Sequence, residues 1–110
     1  MIRLGMMVAA VMAMSTAGDA AHAKVEMQTF PVLAGVGVYD VCPAADGTVW
    51  FTAQSAGKLG RLDPRTGKSD LIALGPSASP HGVIVGPDGA TWVTEGGQNA
   101  IARSIPRPAR

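Results

Sequence analysis

The chain has 110 residues, with nine Lys and Arg against eight Asp and Glu, a single cysteine and 5% aromatic residues. A net charge of +1 with no basic stripe argues against a nucleic-acid partner. The lone Cys42 excludes an internal disulfide framework and a cysteine-rich zinc site.

Residues 1–23, MIRLGMMVAAVMAMSTAGDAAHA, read as a secretory signal peptide. Arg3 gives a positive head, Leu4 to Ala17 is uncharged, and Ala21 and Ala23 are the small residues that a signal peptidase requires. A membrane anchor is the alternative, but the uncharged run is 14 residues, against roughly 20 for a span. Cleavage after Ala23 implies a periplasmic or secreted protein with no membrane attachment. It leaves 87 residues, enough for one small domain, and makes His81 the only histidine.

Lys24–Leu33 and Thr66–Gly75 are polar-to-apolar stretches expected to form outer strands. Each runs into a small-residue connector, Ala34–Gly37 and Pro76–Pro80. Val38–Cys42 and Gly82–Val85 are almost wholly apolar and read as inner strands covered on both faces. Cys42 falls among them as a small buried apolar residue. Pro43–Gly47 and Gly86–Gly89 are turns, with Asp-Gly supplying the positive-φ position of a tight hairpin. Thr48–Gln54 and Ala90–Glu95 are the next strands, and Trp50 and Trp92 are expected to pack between sheets. Lys58–Asp63 and Ala100–Ile105 follow as third strands, and Asp63–Gly67 turns into a fourth. After Ile105 comes PRPAR, whose prolines cannot join a sheet ladder. It reads as a disordered tail on a chain that stops early.

These elements repeat. Shifting the chain by 42 positions aligns Val41 with Val83, Asp46 with Asp88, Gly47 with Gly89, Trp50 with Trp92, Thr52 with Thr94 and Arg61 with Arg103, without a gap. That period, with Asp-Gly turns and a recurring tryptophan, is the signature of a propeller blade. The expected fold is all-β: a partial β-propeller of two four-stranded antiparallel blades, the second incomplete. The first repeat is 24–65, the second 66–105, and 106–110 is the tail. Two blades cannot close a ring, so missing blades or self-association are expected partners.

Pro80-His81-Gly82-Val83, Gly86-Pro87-Asp88-Gly89, Thr91-Trp92-Val93-Thr94-Glu95 and Asn99-Ala100-Ile101-Ala102-Arg103 resemble the blade of the streptogramin B lyase (virginiamycin B lyase) family. The resemblance implies a seven-bladed propeller, of which this chain supplies about two blades. It implies an antibiotic-resistance activity, the opening of a cyclic depsipeptide by elimination. A base removes a proton next to a carbonyl, the ester carboxylate leaves, and no water is added. It implies a histidine base and a Mg2+ electrophile. His81 and the carboxylate of Glu95 have the family's spacing of 14, so the resemblance assigns His81 as base and Glu95 as metal ligand. Ser79 stands where the family has a further glutamate, which removes one expected ligand.

The residues leave alternatives open. His81 reads more readily as a packing or capping histidine than as a base, although its counterpart Tyr39 shows that the repeat does not demand histidine. Glu95, opposite Ala53, can simply hold a turn. Tyr39 and Asp40 are placed to rim a channel and contact a small-molecule or cyclic-peptide substrate. Arg61 and Arg103 recur as structural ion-pair residues. Two other functions remain: a non-catalytic exported propeller module that binds a ligand or partner, and a lactonase-like metal hydrolase drawing calcium ligands from Asp40, Glu95 and Asn99.

Overall fold

The computed structural model describes residues 24–105; the expected leader and tail lie outside the described residues. All regular structure in that span is β-strand: β1 (Val38–Pro43), β2 (Val49–Ala53), β3 (Lys58–Asp63), β4 (Lys68–Ala73), β5 (Pro80–Val85), β6 (Thr91–Glu95) and β7 (Ala100–Arg103). They form two antiparallel sheets, ordered β1-β2-β3-β4 and β5-β6-β7. The fold is all-β and matches two neighbouring blades of a propeller, the second with three strands.

The hairpins follow the turn chemistry. Gly47 and Gly89 hold φ of 86° and 83°, and each donates its amide to the carbonyl three residues back, at Ala44 and Gly86. Asp46 Oδ1 accepts the Thr48 amide at 3.0 Å and the Thr48 hydroxyl at 2.6 Å. Asp88 Oδ1 accepts the Ala90 amide at 3.1 Å. Arg61 pairs with Asp46 and Arg103 with Asp88. The two guanidinium carbons stand 5.4 Å from the ring centroids of Trp50 and Trp92. One Asp–Arg–Trp unit thus closes the turn end of both blades, and the recurring arginines are structural.

Strand alternation gives each blade two unlike faces. On β2, Thr52 and Trp50 point to one side, here called the front. Phe51 and Ala53 point to the back, where they meet Val36, with Val32, Leu62 and Leu71 against them. On β6 the buried residues are Thr91, Val93 and Glu95, while Trp92 and Thr94 are exposed. The front of blade one packs on the back of blade two: Leu59, Val83 and Val93 are buried together, with Trp50, Cys42, Leu74 and Ala102 against them.

One cross-strand pair differs instructively between blades. Phe51 faces Gly60 in blade one, and Val93 faces Ala102 in blade two. A Cβ on Gly60 would lie nearer than 3.0 Å to three carbons of the Phe51 ring. The large–small pair and the medium–medium pair fill the same slot.

The structure corrects four expectations. Lys24–Leu33 forms no strand, and most of it is exposed. Its counterpart succeeds only because β4 finds the free edge of β3. Strand β1 is largely exposed rather than covered on both faces, because only its front meets a blade. Cys42 is half-buried in the inter-blade cluster. Trp50 packs between blades as expected, but Trp92, on the front of blade two, is 41% exposed.

Candidate functional site

The inner strands do not pair smoothly. The β1–β2 register slips between Val38 and Val41, and the β5–β6 register slips between Pro80 and Val83. In each blade the slip is filled by a hydroxyl. Thr52 Oγ1 accepts the Asp40 amide at 3.0 Å, and Thr94 Oγ1 accepts the Gly82 amide at 2.7 Å. Such bulges re-aim side chains. Tyr39 and His81 occupy the same bulge position in successive blades, and both are exposed. Their rings stand side by side, with centroids 4.2 Å apart and planes inclined by 42°.

The His81 backbone is fixed from the neighbouring blade. Thr52, fully buried, donates its hydroxyl to the His81 carbonyl at 2.8 Å. Asp40 Oδ2 accepts the Val83 amide at 2.9 Å. The arrangement holds the strand and leaves the imidazole outside. Sequence reading aligned Thr52 with Thr94 but gave neither a role. The available signal was a threonine repeated inside an otherwise apolar strand.

Glu95 does not join His81. It lies opposite Pro80 in the ladder and is 2% exposed. Its Oε1 accepts the Ser79 amide and, at 3.2 Å, the Gly97 amide. In blade one the corresponding tie is made by backbone alone, from the Gln54 amide to the Gly37 carbonyl at 2.9 Å. Glu95 therefore clamps the connector Ser77–Ser79 to the loop after β6. A Cβ on Gly97 would meet the Ser79 nitrogen at 2.8 Å, so the two segments touch.

Glu95 is the residue on which the magnesium expectation rests. Among the described residues no three His, Cys, Asp or Glu side chains converge. Glu95 Oε2 is buried and lacks a hydrogen-bond partner, which offers one oxygen. Magnesium keeps several waters and demands near-octahedral oxygen coordination. Among the described residues Glu95 ties the connector through Oε1 and keeps Oε2 without a hydrogen-bond partner. The calcium alternative is no better supplied. Asp40 and Glu95 each place one carboxylate oxygen on backbone amides, and Asn99 sits in a turn at φ 52°.

A cleft of about 550 Å³ runs between the blades at the far end of the strands, lined by Asp46, Trp50, Arg61, Asp88 and Ile105. It belongs to the turn end, away from the Tyr39–His81 rim. The Thr48 hydroxyl and amide, followed by Arg61, hold the Asp46 carboxyl down to about 2.

No family model matches the sequence, and no curated protein matches it significantly. Solved structures do. A streptogramin B lyase structure is 32% identical, with a TM-score of 0.64 over 69% of this chain and 26% of that one. Selenomethionine-substituted virginiamycin B lyase from Staphylococcus aureus is 32% identical, with a TM-score of 0.66 over 73% of this chain and 28% of that one. A catalytically inactive histidine-to-alanine form of the Staphylococcus aureus enzyme with quinupristin is 34% identical, with a TM-score of 0.62 over 68% and 26%. The chain thus spans about a quarter of the length of the lyases it matches. The resemblance seen in Pro80–Arg103 holds at the level of the fold.

Proposed function

We propose that these two blades are part of a carbon–oxygen lyase that opens cyclic depsipeptides by elimination, with His81 as the base. The supporting observation is the placement of His81. Its backbone is pinned by Thr52 of the neighbouring blade while its ring stands exposed at the rim, in a fold shared with solved lyases. One of those lyases is inactive when a histidine is replaced by alanine.

In this reading the imidazole takes the proton from the carbon next to a carbonyl. The C–H electrons become a C=C bond, the adjacent C–O bond breaks, and the ester carboxylate leaves with that electron pair. Water is not consumed, so product and substrate have the same mass. In the same reading Tyr39, beside His81, contacts the substrate ring. Asp40 serves the rim indirectly by tying β1 to β5. The donor that stabilises the enolate-like charge has no counterpart among the described residues, and in this reading it comes from other blades.

The second reading, a non-catalytic binding module, is favoured by Glu95, whose Oε1 is held by backbone amides rather than turned toward His81. One assay separates the readings. The full chain is incubated with quinupristin and the mixture is read by mass spectrometry. Ring opening at unchanged mass, lost in His81→Ala, supports the lyase. Opening with the mass of one water added points to a hydrolase. Binding without opening leaves the module.

A further inference from the structure

The front of blade two is a repeat of the surface that blade one buries against its neighbour. Blade one presents Cys42, Trp50, Leu59 and Thr52 to blade two. The residues 42 positions on are Ile84, Trp92, Ile101 and Thr94. Ile84 is 63% exposed, Trp92 41% and Ile101 73%. They line one apolar depression together with Asp40, Gly82 and Val83.

The receiving surface exists in the same chain. Blade two offers Val83, Val93, Leu74 and the His81 carbonyl to blade one. Their counterparts on the back of blade one are Val41, Phe51, Val32 and the Tyr39 carbonyl. Val41 is 57% exposed, whereas Phe51 is 3% exposed and already covered by Val36 and Val32, so Val41 carries the receiving surface. We propose that a second copy of this chain docks head to tail, the front of blade two in one copy on the back of blade one in the next. The contact continues the inter-blade interface already present within the chain. Ile101 of one copy then packs on Val41 of the next. Thr94 donates its hydroxyl to the Tyr39 carbonyl, as Thr52 does to that of His81. Such heterologous contacts close into rings when the rotation allows, and run on as filaments when it does not. Three or four copies reach the six or eight blades of ordinary propellers.

One position fits imperfectly and supplies a test. Gly57, at φ 65°, lies where a Cβ would stand 2.7 Å from the Ala78 carbonyl oxygen. Its counterpart is Asn99, which holds the same left-handed backbone at φ 52° but carries that Cβ. Asn99→Gly removes the obstruction and should tighten assembly.

The experiment is light scattering on the full chain at rising concentration, with Val41→Asp, Ile101→Asp and Asn99→Gly beside it. The wild type is expected to assemble, and Asn99→Gly to assemble at lower concentration. Each aspartate variant alone is expected to stay a single chain, because each loses one face. An equimolar mixture of the two is expected to form a dimer that grows no further, since one intact front and one intact back remain. Recombination also shows that both variants are folded. A wild type that stays a single chain at every concentration overturns the proposal. So does a Val41→Asp chain that still self-associates, which indicates pairing of front with front.

Discussion

Gly60 should not tolerate even a methyl group, and the reason is one aromatic ring. Phe51 is 3% exposed and packed among Val36 and Ala53. A Cβ at Gly60 falls within 3.0 Å of three of its ring carbons, so the ring has to withdraw into a filled cluster. Overpacking of this kind costs about 1–3 kcal/mol. The smaller unfolded-state entropy of alanine returns about 0.5–1 kcal/mol. Gly60→Ala should therefore destabilise the chain by up to about 2.5 kcal/mol, the difference of those two effects. Phe51→Val, which empties part of the slot, should cost about 2 kcal/mol. The double variant recreates the Val93–Ala102 pair of blade two, so its loss should fall short of the sum by about 1–2 kcal/mol. Urea titrations at one chain concentration, followed by tryptophan fluorescence, measure all four corners of the cycle. Losses that add to within about 0.5 kcal/mol refute the shared-slot argument.

Thr52→Val keeps the shape but strands the Asp40 amide and the His81 carbonyl; a loss of about 1–3 kcal/mol is expected in the same titration. Glu95→Ala leaves the Ser79 and Gly97 amides without their acceptor and should destabilise by about 1–3 kcal/mol; an unchanged midpoint contradicts the clamp. Asp46 gives a pH signature. Its folded pKa, about 2, lies below the ordinary 3.8, so its contribution is complete above pH 4 and fades as pH falls toward 2. Acid titrations of wild type and Asp46→Asn should differ at neutral pH and converge near pH 2, and a constant gap refutes the assignment.

Much of the fold was legible because the repeat left identical residues in identical roles. Asp46 and Asp88 close turns, Arg61 and Arg103 pair with them, and Trp50 and Trp92 lie under those arginines. Lys24–Leu33 misled because a strand pattern states a propensity, while a strand needs an edge to pair with; β4 has that edge at β3 and Lys24–Leu33 has none among the described residues. Trp92 was misplaced for a related reason. Its face is built to be covered, and coverage depends on a neighbour, which residue spacing does not supply. The site was half legible. The contrast of Tyr39 with His81 singled out two residues whose rings stand together in the structure. The contrast of Ala53 with Glu95 showed that the carboxylate was not a blade requirement. It could not show that the Ser79 amide would be its partner, because that contact crosses a connector of irregular backbone.

The central claim is that adjacent blades bring the Tyr39 and His81 bulges together at one rim. The chain has one tyrosine, so the most direct measurement is a nuclear Overhauser spectrum of the full chain. With ring centroids 4.2 Å apart, cross-peaks between the Tyr39 ring protons and the His81 imidazole protons are expected. A folded chain in which Tyr39 shows no contact with His81 contradicts the stacking of the blades and the candidate site built on it.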